Sequence, residues 1–460
     1  MNRLLLLVRS NWISATGAIV TTVAFMLFVT TFVYLSLHGG LHGAYMGLFA
    51  FIALPLAFVS GLALIPVGLV LYRKQLQDRL AVAAQRPFRL MRVIGVLTLV
   101  NLAVAGTGGF EATHYLDSQE FCGTLCHEVM SPTYEAYLDS PHSRIACVDC
   151  HVGPGATWFL KAKLNGVRQL VGVITGDHAR PIPTPVHGLR PAADTCERCH
   201  NPQPAGPDQL VWRHKFAEDE TSTRTTNALL LKLGGVKPDG TATGIHAHAH
   251  GGGKVEYVSV EDKRNVIPWV RYTDAQGKVR IYTKDDVEAD KPPTGELRTM
   301  DCTDCHNQPS HHFRELDREL DGALADERLP TGLPFFRKVA AETLRMEWAR
   351  DTAPAAIQSH LEQHYDAVAG LSDEQRALVG PAASQLAKIW LRNVYPDMKI
   401  TWGTYPSFTG HVGCMRCHDG EHLDDEGTPI SADCTTCHDV LAQDAVNPAI
   451  LELVQRKKAN

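Results

Sequence analysis

The chain has 460 residues, enough for two to four domains, and 45% of them are hydrophobic. Its formal net charge is −6, but the first 110 residues carry a net +7 and the remainder carries −13. An acidic remainder of this kind argues against a nucleic-acid-binding protein and favours basic or cationic partners.

Three long apolar runs occupy the N-terminal part, over roughly residues 13–35, 44–71 and 91–110. Each has about the 20 residues that cross the hydrocarbon core of a bilayer, and a buried core helix is the alternative for any single run. Basic residues lie before the first run and between the second and third, whereas the link LHGGLHGAY has none. The positive-inside rule therefore predicts a cytoplasmic N-terminus, an uncleaved anchor in the cytoplasmic (inner) membrane, and a periplasmic chain after about residue 110.

All twelve cysteines fall into six pairs, and a histidine directly follows each pair. Five pairs read C-x-x-C-H, the signature of c-type haem attachment, in which two thioethers hold the porphyrin and the histidine binds the iron. The first pair, in FCGTLCHEVM, has one residue more between its cysteines. Disulfides or zinc ribbons are the alternatives, but neither requires a histidine after every pair. The six motifs, numbered in chain order, are Cys122, Cys126 and His127; Cys147, Cys150 and His151; Cys196, Cys199 and His200; Cys302, Cys305 and His306; Cys414, Cys417 and His418; Cys434, Cys437 and His438.

The segments between the motifs differ in pattern. Residues 157–174 have the apolar spacing of an amphipathic helix, which either lies on the membrane surface or packs as an ordinary helix. The cysteine-free stretch 201–300 contains VEYVSV, VIPWVRYT and KVRIYT, which alternate as strands do, and DAQG reads as a hairpin turn. Residues 314–400 read as helical, and Ser372 with Gln375 forms a capping box.

The predicted fold class is therefore three N-terminal transmembrane helices followed by a mainly α, loop-rich periplasmic multihaem domain with a small β insertion. The predicted domains are the membrane anchor, 1–110; a four-haem domain, 111–313, with the β-rich insertion at about 201–300; a helical segment, 314–400; and a C-terminal two-haem segment, 401–460.

Electron-transfer haems usually have two strong axial ligands, whereas a catalytic haem keeps one position open. Fourteen histidines of the exported part lie outside the motifs, which is enough to supply every distal ligand. Closeness to the motifs favours His142, His311, His312, His411 and His422 as such ligands, although not necessarily of the nearest haem. In GIHAHAHGGG the histidines 246, 248 and 250 alternate as strand residues would, so that one face meets a given iron and a surface metal site or a solvated loop is the alternative for the others.

Several stretches between the third apolar run and about residue 313 resemble the NapC/NirT family of membrane-anchored, quinol-oxidising multihaem cytochromes. They are GGFEATHYLDSQEFC, CHEVM, CVDCHVGPG, CERCH and CTDCHNQPSHHF. The rest, including MKITWGTYP and CMRCHDGEH, resembles the larger inner-membrane members of metal-respiring bacteria. The resemblance implies that menaquinol or ubiquinol is oxidised at the periplasmic face, and that six covalent haems pass the electrons to periplasmic cytochromes or a reductase in anaerobic or metal respiration.

The same resemblance implies roles for individual residues. Met130 corresponds to the methionine ligand of the first haem, although it lies three residues beyond His127 where the family has two. Lys163 matches the quinol-site lysine, but Gln169 and Leu170 stand where the family places an acidic residue. The added N-terminal hairpin and the two C-terminal motifs are further departures from familiar four-haem members. The implied distal ligands are His142, His187 and His311, with His214 or His246 as a fourth.

The function favoured by these patterns is that of a quinol dehydrogenase subunit whose partners are the quinone pool and periplasmic redox proteins. The patterns are compatible with a complex that contains further subunits. One alternative is a terminal reductase of nitrite, hydroxylamine or a sulfur oxyanion, with one open haem. The surplus of histidines and the absence of a C-x-x-C-K motif argue against it. The other alternative is a passive redox anchor without a quinol site.

Overall fold

A computed structural model describes the chain over residues 11–38, 49, 53–74, 87–124, 127–153, 156–185, 190–200, 206–237, 242–249 and 253–451. The chain divides into two compact units. The first unit consists of Met1–Ser131 with Ala146–Val148, and the second consists of Pro132–Ile145 with Asp149–Asn460.

Long apolar helices dominate the first unit. Helix α1 spans Trp12–His38 and helix α2 spans Leu54–Leu71. Within the described residues, these two helices are long and apolar enough to cross a bilayer, which suggests membrane anchoring. The third apolar run belongs to helix α3, Pro87–Leu116, which has 30 residues. Its role as a third membrane span, like the orientation of the anchor, stays a prediction.

Helices α1 and α2 pack closely because their contact consists of small residues. A Cβ atom on Gly17 would lie only 2.7 Å from the carbonyl oxygen of Gly61, so neither helix could approach the other with a larger side chain there. The close approach lets the hydroxyl of Ser14 donate to the carbonyl oxygen of Ile65 at 2.9 Å. Small residues and interhelical hydrogen bonds of this kind are typical of helices that associate inside a bilayer.

The remaining helices are short near the cysteine motifs and longer near the C-terminal half. Helix α13 begins at the predicted capping box, in which the side chains of Ser372 and Gln375 each accept a backbone N–H of the other residue. The bounds are α4, Gln119–Thr124; α5, His127–Leu138; α6, Cys147–His151; α7, Ala156–Thr175; α8, Ala192–Thr195; α9, Cys302–Cys305; α10, Leu316–Ala325; α11, Phe336–Arg345; α12, Ala353–Asp366; α13, Asp373–Asn393; and α14, His411–Cys414.

Helices α10 to α13 enclose the main aliphatic core of the second unit. Their apolar residues recur every three or four positions, so each helix buries one face; in α12 that face is Ile357, Leu361 and Tyr365. These side chains pack with Leu320 of α10 and Trp390 of α13, all of them essentially inaccessible to water. This core contains none of the cysteine motifs and gives the second unit a frame that does not depend on porphyrin packing.

The strands form small antiparallel sheets. Strands β5, β6 and β7 coincide with the three predicted strand sequences, and the predicted turn between β6 and β7 places Gly277 at φ +82°. The sheet orders are β1-β2-β9, β3-β4 and β7-β6-β5-β8. The bounds are β1, Gln209–Phe216; β2, Arg224–Leu231; β3, Gly235–Val236; β4, Ala242–Thr243; β5, Lys254–Ser259; β6, Trp269–Thr273; β7, Val279–Thr283; β8, Glu296–Thr299; and β9, His438–Ala445.

The second unit is thus mixed α/β, and the prediction of a mainly α domain is wrong. Strand β9 begins at His438, the histidine of the sixth motif, and pairs with β2, so that His438 lies opposite Leu231. The sequence HDVLAQDA does not alternate between apolar and polar residues, because β9 is largely exposed on both faces. A strand of this type shows no local pattern, and only its distant partner defines it.

Candidate haem sites

Three of the motifs fold into the same helical turn. The backbone N–H of His200 donates to the carbonyl of Cys196 at 2.8 Å, and His306 and His418 make the same contact to Cys302 and Cys414 at 2.7 and 3.0 Å. An i to i−4 bond of this type brings the first cysteine and the histidine onto one side of the turn. The spacing C-x-x-C-H thereby places two sulfurs and one imidazole where a single porphyrin can meet them.

The first motif is described only in part. Cys122 lies in α4, and Cys126 lies outside the described residues. His127 is the first residue of α5, and its side chain is not among those that the structure describes. Met130 is half-buried in α5. Within the first unit the Cys122 side chain is hydrogen-bonded to Cys147 of the second motif, which lowers the pKa of the Cys147 thiol to about 7. The first two motifs therefore adjoin each other.

Four motif histidines face a second histidine at a nearly constant separation. The ring centroids are 6.2 Å apart for His151 and His311, and 6.1 Å apart for His200 and His142. They are 5.7 Å apart for His418 and His248, and 6.1 Å apart for His438 and His411. The two rings are tilted by 43° to 75° in every pair, so none of the pairs is stacked.

This separation is the one that a shared metal ion requires. With metal–nitrogen bonds of about 2 Å, two trans imidazoles hold their ligating nitrogens about 4 Å apart and their centroids about 6 Å apart. A direct hydrogen bond between two imidazoles would bring the nitrogens to about 3 Å. The four histidine pairs therefore fit the two axial ligands of a haem iron, with one ligand from the motif and one from elsewhere in the chain.

Hydrogen bonds at the far side of the rings fix how the non-motif histidines point. Nδ1 of His142 lies 3.0 Å from the carbonyl oxygen of Pro309, and Nδ1 of His311 lies 2.8 Å from that of Thr133. A carbonyl oxygen only accepts, so Nδ1 carries the hydrogen and Nε2 keeps the lone pair that binds a metal. Metal-ligating histidines typically have such a second contact, which orients the ring.

The surroundings of three histidines also favour the neutral imidazole, which is the form that binds iron. Burial lowers the pKa of His151, and the nearby His311 lowers it further. Burial lowers the pKa of His311 as well, only partly offset by its hydrogen bond to Thr133. Burial and then the neighbouring His246 and His200 lower the pKa of His306.

The other predicted ligands have different surroundings. His246 lies next to His306 of the fourth motif. His214, on β1, contacts Thr226 and the guanidinium of Arg224 instead of a motif histidine. His187 and the side chain of Lys163 lie outside the described part of the chain.

His422 is fully buried, and both of its ring nitrogens are engaged by protein atoms. Nδ1 lies 2.8 Å from the Asp419 carboxylate, and Nε2 lies 2.6 Å from the carbonyl oxygen of Ile267. An iron ligand needs one nitrogen lone pair pointing at the metal. In this arrangement His422 ties the loop after the fifth motif to the β insertion.

His248 is the site residue that sequence reasoning left out. It is one of three alternating histidines in GIHAHAHGGG, which in the expected strand would share one face and present a single histidine to a given iron. The segment instead forms a 3₁₀ turn over Ile245–His248. The sequence signal for a turn in this segment is Gly244, the residue before it. Glycine readily adopts a positive φ, and Gly244 begins the turn with a φ of +70°.

Successive motifs adjoin one another in the second unit too. A hydrogen bond between Cys196 and Cys302 raises the pKa of the Cys196 thiol, and Cys150 raises it further. Burial and then the Cys414 sulfur raise the pKa of Cys305 to about 11. The pKa of Cys437 is also raised, mainly by burial and then by the Cys414 sulfur. The motifs are thus neighbours in the order of the sequence.

Comparisons with known proteins agree with this reading of the sites. The model of the NapC/NirT cytochrome c family, N-terminal region, matches residues 86–181. The cytochrome c-type protein ImcH of Geobacter sulfurreducens is 37% identical over 464 residues, which cover 95% of this chain and 89% of ImcH. The cytochrome c-type protein NapC of Escherichia coli is 30% identical over 128 residues, which cover 24% of this chain and 64% of NapC. No solved structure matches the chain. The paired histidines, the attachment motifs and this similarity lead to one conclusion: the chain belongs to the NapC/NirT cytochrome c family.

Proposed function

We propose that this cytochrome is a membrane-bound quinol dehydrogenase that carries six c-type haems and passes electrons to periplasmic redox partners. The observation that carries the proposal is the repeated pairing of a motif histidine with a second histidine at the distance of two axial ligands. Doubly ligated haems suit electron transfer, whereas a reductase site requires an open position. Membership of the NapC/NirT family supports quinol as the electron donor.

The chain's own residues would hold the haems and set their order. The cysteines of each motif would form the thioethers, and the motif histidine would bind the iron from one side. His142 would complete the third site, His311 the second and His411 the sixth. Once bound, the haems supply one-electron carriers for the two electrons that a quinol loses, together with two protons, on becoming a quinone. Because neighbouring motifs follow the order of the sequence, the proposed path runs from the first motif to the sixth.

The quinol would bind near the membrane end of this path. The first motif follows α3 after only a few residues, so the first site lies closest in sequence to the anchor. Lys163, on the amphipathic helix α7, is the proposed quinol-site residue, and Met130 is the proposed second ligand of the first haem. The anchor is proposed to lie in the inner membrane, with the N-terminus in the cytoplasm and the haems in the periplasm.

The experiment measures haem reduction by a menaquinol analogue in liposomes that contain the purified, haem-loaded protein. We expect rapid reduction in the parent protein, and a loss of at least tenfold in the initial rate for Lys163→Ala. Lys161→Ala is the matched control, because Lys161 lies two residues away on α7 and its Nζ rests over the Trp158 ring, 5.0 Å from the centroid. Equal rates in both variants would remove Lys163 from the quinol site, and no reduction in the parent would refute quinol oxidation. CO binding by the reduced parent protein would favour the reductase alternative.

A further inference from the structure

The geometry points to His248, the last residue of the Ile245–His248 turn, as the distal ligand of the fifth haem iron, facing His418. This inference rests on the haem loading in the proposed function and does not depend on quinol oxidation.

The contact between His248 and His418 is the strongest evidence, because it lacks a hydrogen to share. Nδ1 of His248 lies 2.7 Å from the carbonyl oxygen of Ile245, and Nδ1 of His418 lies 2.6 Å from that of Ser431. Both carbonyls are acceptors, so in each neutral ring Nδ1 holds the hydrogen and Nε2 holds a lone pair. The two Nε2 atoms nevertheless face each other at 3.5 Å. This distance is longer than the about 3 Å of a direct imidazole hydrogen bond and approaches the about 4 Å of two nitrogens on one metal ion. Two facing lone pairs favour a cation between them, and a haem iron held by the fifth motif would supply it.

The form of the turn explains why His248 points away from its neighbour His246. A 3₁₀ turn has about three residues per turn, so side chains two positions apart point about 120° away from each other. His246 and His248 therefore diverge, whereas in the expected strand they would have shared a face. The turn is anchored at the end of β2, because the N–H groups of Ile245 and His246 donate to the carbonyls of Lys232 and Leu233 at 2.9 and 3.0 Å.

The fifth motif is also bonded directly to the fourth. Arg416, between the cysteines of the fifth motif, donates through Nη2 to the carbonyl oxygen of Asp304, between the cysteines of the fourth, at 2.6 Å. Its Nη1 donates to the carbonyl of Arg264, in the β insertion, at 2.8 Å. The insertion and both motifs thus form one bonded assembly. The fourth motif ends the stretch that resembles four-haem members, so this assembly is where electrons would cross into the C-terminal addition.

The test is the spin state of the haems in the full-length, detergent-solubilised protein, by electron paramagnetic resonance and by CO binding after reduction. For His248→Ala we expect one of the six haems to change from low-spin to high-spin and to bind one equivalent of CO. His214→Ala is the matched control, because this histidine belongs to the same insertion but contacts Thr226 and Arg224; it should leave every low-spin haem unchanged.

His248→Met guards against failure of the alanine variant to accumulate. A thioether ligand keeps the iron low-spin but adds one sulfur-to-iron charge-transfer band to the ferric spectrum. An unchanged spectrum in His248→Ala or His248→Met would overturn the assignment. A protein that fails to oxidise quinol but shows these spectral changes would refute the proposed function and leave the ligand assignment in place.

Discussion

The hydroxyl of Tyr257 offers a direct test of how the β insertion holds the fourth motif. Tyr257 of β5 is completely buried, and its hydroxyl donates to Oδ1 of Asp304 at 2.6 Å. Asp304 is itself 1% exposed, and its other side-chain contacts are two arginine nitrogens at 3.4 Å and the N–H of Asp301 at 2.8 Å. Tyr257→Phe would leave Oδ1 with only two long contacts, to Arg264 and Arg298. Since hydrogen bonds to buried charged groups contribute about 1.5–3 kcal/mol, we expect a loss of that size.

Hydrogen exchange of the haem-loaded protein, followed by mass spectrometry, measures this loss locally. About 1.4 kcal/mol corresponds to a tenfold change in an equilibrium constant, so protection of the β5 amides should fall about tenfold to a hundredfold in Tyr257→Phe. Tyr272→Phe on β6 is the control, because it removes a hydroxyl from the same sheet without touching Asp304. If both variants lost equal protection, or if β5 kept its full protection in Tyr257→Phe, the bond to Asp304 would not hold the sheet to the motif.

Two further predictions concern the β insertion and the helical core of the second unit. Burial raises the pKa of Glu256, but hydrogen bonds and charges from Lys254 and Arg271 lower this pKa below its usual value overall. The ion pairs therefore stabilise the fold above pH about 4.5, and this stabilisation is lost as the pH falls through the lowered pKa. Glu256→Gln should cost about 1–2 kcal/mol at pH 7 and nothing in acid, measured as urea midpoints across pH, and a constant difference at all pH values would contradict this ion-pair role. Leu361→Ala should lower the free energy of unfolding of the helical segment by about 2–5 kcal/mol, because the side chain is 0% exposed; a change below about 1 kcal/mol in the same assay would show that the core refills the cavity.

Local sequence patterns predicted the elements that stand on their own. The alternating strands β5 to β7 and the capping box at Ser372 were both correct, because each is determined by neighbours within a few residues. The motif turns follow from the same local rule, as the bond from His306 to Cys302 illustrates. The edge strand β9 escaped prediction because its partner, β2, lies far away in the sequence and its own pattern is irregular.

The histidine pairs show the same limit at the sites. His142 and His311 are close to motifs in sequence, yet each faces the histidine of a different motif from its nearest one. His248 and His418 are 170 residues apart, and nothing in either local sequence connects them. His422, close to the fifth motif, is instead bonded to Asp419 and to the β insertion. Distance along the chain is therefore a poor guide to distal ligands, because tertiary contacts decide which ring faces which iron.

The residues inside the motifs carry more of the fold than the notation C-x-x-C-H implies. Attachment chemistry places no demand on the two middle positions, so they are free to serve another purpose. In the fourth and fifth motifs the second of these positions is Asp304 and Arg416, which are buried and bonded to the β insertion and to each other. A buried charge is tolerated only where its partners are in place, so the burial of Asp304 and Arg416 requires the two motifs to pack against each other. These contacts hold the two sites next to each other, as electron transfer between adjacent haems requires.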